Sequence, residues 1–61
     1  MMPTFYGAKQ SNGDLVVIRK DDLNGEKPER ALGVPEVYRL DAPDSERARS
    51  MLAAKRAAAR R

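Results

Sequence analysis

The hydroxyls that could act as nucleophiles are Thr4, Ser11, Ser45 and Ser50, and none of them has an activating partner in the sequence. The chain holds no histidine and no cysteine, so neither a Ser–His or Cys–His pair nor an imidazole or thiolate metal site can be built. Lys55 follows Ser50 by five residues, a spacing that sets the two on different faces of a helix. Two acidic pairs remain. Asp21-Asp22 falls in a turn-rich stretch, and Asp41 with Asp44 opens a helix, where acids serve as caps. Asp22, Asn24 and Gly25 mimic part of a calcium loop, but Lys20 and Ala31 stand where the loop requires acids. No glycine-rich phosphate loop is present. The sequence therefore reads as non-enzymatic, with no catalytic residue, metal site or cofactor.

Binding groups are better represented. Residues 1–40 carry six Lys/Arg and six Asp/Glu, whereas residues 41–61 carry six and three, so the net charge of +3 comes from the C-terminal third. On a helical wheel Arg49, Arg56 and Arg60 form a stripe beside the apolar face, a pattern suited to nucleic-acid phosphates or an acidic partner. A membrane-surface helix is disfavoured, because the apolar stripe is mostly alanine and lacks Trp and Phe.

These residues need elements to hold them. Asn12-Gly13 between Pro3–Gln10 and Leu15–Lys20 signals a β-hairpin. With a two-residue loop, Ala8 faces Val17, Gly7 faces Ile18 and Tyr6 faces Arg19. One ribbon face then carries Phe5, Gly7, Val16 and Ile18, and the other Tyr6, Ala8, Leu15, Val17 and Arg19. Residues 21–34 read as loop, with Glu29–Leu32 long enough for one helical turn. Pro35–Leu40 alternates as a third short strand. Asp41 is the expected N-cap of a C-terminal helix, with Pro43 in its first turn. Ala48, Met51, Leu52 and Ala59 form its apolar stripe, and Lys55 falls in the middle of that stripe. The expected cause is that the helix overruns the sheet after Leu52, leaving residues 53–61 as a basic extension.

The expectation is thus one α+β domain over residues 1–61: a three-stranded antiparallel sheet, made of a hairpin plus a third strand, packed against one C-terminal α-helix. The order strand-strand-strand-helix resembles small DNA-binding domains such as the arm-binding domains of phage integrases. That likeness is one of order and length and carries no site residue.

Sixty-one residues is near the lower limit for independent folding, and no disulfide or metal is available as a staple. A partner or a second copy of the chain is therefore expected to complete the apolar surface. In size and lack of motifs the chain is similar to phage-encoded inhibitors of host machinery, including anti-CRISPR proteins. The leading functional expectation is a stoichiometric binder of a host protein or nucleoprotein complex, using Tyr6, Leu15, Val17 and Arg19. The alternative is a DNA- or RNA-binding domain using Arg49, Arg56 and Arg60. The start MMPTFYG lacks a basic then apolar leader pattern, and no apolar run is long enough to span a bilayer, so a cytoplasmic location is expected.

Overall fold

The computed structural model describes residues 2–59. Strands β1 (Thr4–Lys9) and β2 (Leu15–Arg19) are followed by a 3-10 turn (Lys20–Leu23) and the short helix α1 (Pro28–Leu32). Strand β3 (Tyr38–Asp41) and helix α2 (Ser45–Ala59) complete the chain. The sheet is antiparallel throughout with the order β2-β1-β3, so the first strand in sequence is the central one. The expected sheet packed on a C-terminal helix is what forms.

The hairpin differs from expectation in its loop. Gly13 N donates to Gln10 O at 2.9 Å, and Gln10 N donates to Asp14 O at 2.9 Å. The loop is therefore Ser11-Asn12-Gly13, closed by a turn that ends on Gly13 at φ +95°. Asn12 does not adopt positive φ, which excludes the two-residue loop in which both central residues are left-handed. Its Oδ1 instead accepts Asp14 N at 3.0 Å, an Asx turn that fixes the longer loop. One extra loop residue moves the register by one: Tyr6 pairs with Ile18, Gly7 with Val17 and Ala8 with Val16. Because side chains alternate along a strand, that slip turns all of β2 over. Leu15, Val17 and Arg19 join Phe5 and Gly7 on one face, and Val16 and Ile18 join Tyr6 and Ala8 on the other.

Helix α2 covers the Phe5 face, here called the front. Phe5, Leu40, Ala42, Ala48 and Leu52 form the buried core, with Leu15, Val17, Tyr38 and Met51 packed against it. Gly7 permits the close approach. A Cβ built there would lie 2.9 Å from Leu52 Cδ2 and 3.0 Å from both Leu40 Cδ1 and Val17 Cγ1. The back of the sheet is covered too, although thinly. Both α1 and the 3-10 turn contact β1, Ala8 is fully buried, and Leu23 and Leu32 are buried in this second layer. Residues 21–34, expected as loop with a single helical turn, thus take part in two short helical segments, Lys20–Leu23 and Pro28–Leu32, that pack on the back face.

Two boundaries move as well. Asp41 ends β3, where its Oδ1 accepts Thr4 Oγ1 at 2.9 Å, rather than capping the helix. Asp44 is the cap: its Oδ1 accepts Arg47 N at 2.8 Å, and its carbonyl accepts Ala48 N at 3.0 Å. The Lys55 mismatch also disappears. The line facing the sheet runs Ala48, Leu52 and Arg56 at four-residue spacing, while Lys55 and Ala59 point to solvent.

Candidate binding surfaces

The structure separates the four residues expected to form one contact face. Tyr6 stands on the back of the sheet. Leu15 and Val17 stand on the front, half-buried against the core under α2. Arg19 is on the front as well, exposed, with Nε 3.6 Å from Asp21 Oδ2. An exposed pair of this kind contributes at most about 1 kcal/mol. Leu15 and Val17 thus lie on the opposite face from Tyr6, partly buried against the core. The cause is the three-residue loop, which reverses the facing of β2.

What the slip brings beside Tyr6 is Ile18, directly across the strand pair, with Val16 next along β2. All three are only partly buried. Tyr6 also lines an open groove with Lys20, Leu23, Gly25, Glu26 and Pro28. These three residues, Tyr6, Val16 and Ile18, form a partly exposed apolar patch on the back face. The sequence carried its signal, an uninterrupted run Leu15–Ile18 that must show apolar side chains on both faces, whichever way the strand is turned.

The two sheet edges are unlike. β3 is a four-residue edge strand whose back-facing side chains are Arg39 and Asp41, joined at 3.8 Å. Short length and charge are ordinary means of keeping an edge from pairing further. β2 is the opposite edge, and its Leu15, Val16, Val17 and Ile18 are all partly exposed. Hydrogen-bonded pairs alternate along an antiparallel ladder. Since Gln10 bonds to Asp14, the residues of β2 bonded to β1 are Val16 and Ile18. The amides and carbonyls of Leu15 and Val17 and the amide of Arg19 point outward from the sheet, while the Arg19 carbonyl, at the N-cap of the 3-10 turn, opens that turn's hydrogen bonding.

The expected cationic stripe is also divided. Arg49 is exposed. Arg56 is only 23% exposed and its Nη1 lies 3.8 Å from Glu36 Oε1. Its stem runs over the hairpin end, where Lys9, Gly13, Leu15, Ala53, Arg56 and Ala57 line a shallow groove. The segment after Leu52 therefore still lies along the sheet as far as Ala57. Arg60 lies outside the described residues. Exposed cations of α2 with no ion pair among the described residues are Arg47, Arg49 and Lys55.

Glu36 is a shared acceptor. Tyr38 Oη donates to Glu36 Oε1, the same oxygen that faces Arg56. The hydrogen bond to this carboxylate, aided by partial burial and the nearby negative charge, raises the Tyr38 pKa above its ordinary 10.0, against a smaller opposing pull from Arg56. The interaction ties the start of β3 to the last turns of α2.

Among the described residues no group of three or more acids is placed to hold a metal ion, and no helix is long and apolar enough to cross a membrane. No family model matches the chain, and neither a curated protein nor a solved structure matches it.

Proposed function

We propose that this chain is a non-enzymatic binding protein that modulates a partner protein by forming a stoichiometric complex, with Tyr6, Val16 and Ile18 on the back of the sheet as the contact patch. The observation that carries this reading is the asymmetry of cover. The front is closed by a fifteen-residue helix, whereas the back is covered by two short helical segments that leave Tyr6, Val16 and Ile18 partly exposed. A partly uncovered aromatic and two β-branched residues beside a groove form the kind of surface that marks interaction sites. Tyrosine in particular combines large apolar area with a polar tip at contact surfaces. Blocking a component of a host protein or nucleoprotein machine is an activity that such a binder exerts without any catalytic group.

The test is capture of a partner by the tagged chain from nuclease-treated bacterial lysate, followed by titration of the purified pair. Tyr6→Ala and Ile18→Asp are expected to weaken the complex at least about tenfold, in line with the loss of a central contact residue. Far-UV circular dichroism of the variants checks that the fold is kept. Unchanged affinity in both variants would remove the back patch as the contact surface.

A second reading, nucleic-acid binding, is favoured by Arg47, Arg49 and Lys55, exposed on α2 and without an ion pair among the described residues. It predicts a mobility shift at low salt and a shallower salt dependence in Arg49→Ala. Absence of any shift at low salt excludes it.

A further inference from the structure

We infer that β2 is the interface of a homodimer, pairing antiparallel with β2 of a second copy around a twofold axis through Val17, so that two three-stranded sheets become one. The inference goes beyond the binding role proposed above and does not depend on it.

The outward hydrogen-bonding groups of β2 belong to Leu15, Val17 and Arg19. Placing Val17 on the twofold axis pairs Val17 with itself and Leu15 with Arg19, in both directions. Val17 exchanges two bonds with its copy, and each Leu15–Arg19 pair adds the bond from the Arg19 amide to the Leu15 carbonyl, the Arg19 carbonyl being engaged in the 3-10 turn that it caps. An axis at Val16 or Ile18 leaves part of this set facing loop residues.

Side chains select the same register. On the back face it sets Val16 against Ile18, and just beyond the strand ends it brings Asp14, which precedes β2, opposite Lys20, the first residue of the 3-10 turn, each pair occurring twice by symmetry. Asp14 and Lys20 are both exposed, and within one chain neither forms an ion pair among the described residues. Opposite charges facing across strands stabilise a ladder, and apolar β-branched pairs do the same. Moving the axis to Val16 would set Asp14 against Ile18, and moving it to Ile18 would set Lys20 against Val16. Only the Val17 axis matches charge with charge. A twofold axis normal to the sheet keeps both α2 helices on the front and joins the two Tyr6-Ile18-Val16 patches into one band on the back. The other edge, β3, is short and charged and offers no such register.

Sedimentation velocity over a concentration series reads the association, and amide exchange reads the strand. A dimer is expected that dissociates on dilution. Exchange at the Val17 and Arg19 amides slows as concentration rises, while Val16 and Ile18, already bonded to β1, do not respond. Asp14→Lys and Lys20→Asp each set like charges opposite one another at two places per dimer and weaken association about tenfold. The double variant D14K/K20D restores it. These are exposed positions, so the fold is retained in all three, which circular dichroism verifies. A monomer at every concentration overturns the inference. So does a dimer indifferent to the single reversals, or one that the double variant does not rescue.

Discussion

Glu36 faces two partners through one carboxylate oxygen, and the division between them sets the chemistry of Tyr38. The phenol donates to the carboxylate, so removing its proton would put two negative charges side by side. Arg56 offsets this in part from the other side. The folded pKa of Tyr38 is therefore above that of the unfolded chain. For a group of this sign, the stabilising contribution is complete below the ordinary value of 10.0 and is lost as pH rises through the raised folded value. In a Tyr6→Phe background only Tyr38 remains to be read by tyrosinate absorbance. Glu36→Gln is expected to lower its titration midpoint toward the ordinary tyrosine value. A midpoint that does not move, or that rises, shows that Glu36 is not the acceptor in solution.

At the scale of elements, the start of α2 tests how an acid is used by position rather than by type. Asp41 and Asp44 both precede the helix, yet only Asp44 lends its carboxylate to a free amide of the first turn. Asp41 serves the sheet, accepting Thr4 Oγ1 and facing Arg39. Replacing an N-cap acid by alanine costs about 1 kcal/mol, whereas an exposed strand-end acid is worth a few tenths. Urea denaturation should therefore rank Asp44→Ala as the more damaging change, and the reverse order would return the cap to Asp41. In the sequence Asp41 reads as the N-cap and Asp44 as an acid of the first turn. The choice between them rests on where β3 ends, and the β1–β3 register decides that. The hairpin teaches the same lesson. Asn12-Gly13 announces a turn, but glycine at positive φ suits both the two-residue and the three-residue loop, and only the Asn12-to-Asp14 bond selects the longer one. One residue of loop then exchanges Val17 for Ile18 on the exposed face. The candidate site was therefore half legible: Tyr6 was placed with the right strand but with the wrong neighbours. Of the cover formed by residues 20–32, the turn at Glu29–Leu32 was legible, whereas the 3-10 segment and the packing of both on the sheet were not, because helical segments so short are held by packing.

The whole molecule is a sheet with a thin layer on each side, and its fully buried large side chains are Leu40 and Leu52. A domain of this size buries about 60% of its extended-chain surface and has little stability to spare. Four consecutive apolar residues on an open edge are at odds with such thrift unless the edge is covered in the native assembly. If the cover is a second copy, stability and association are one equilibrium, because whatever binds only the folded state raises its melting temperature by mass action. For a chain with the usual unfolding enthalpy per residue, a tenfold rise in concentration should lift the midpoint by about 5 °C. Asp14→Lys should flatten that dependence at the low-concentration midpoint, since it weakens pairing while leaving each core intact. Scanning calorimetry at two concentrations is enough to decide. A wild-type midpoint that stays level would mean that Leu40, Leu52 and the two thin layers hold the single chain unaided, and the open edge of β2 would then be free for a foreign strand.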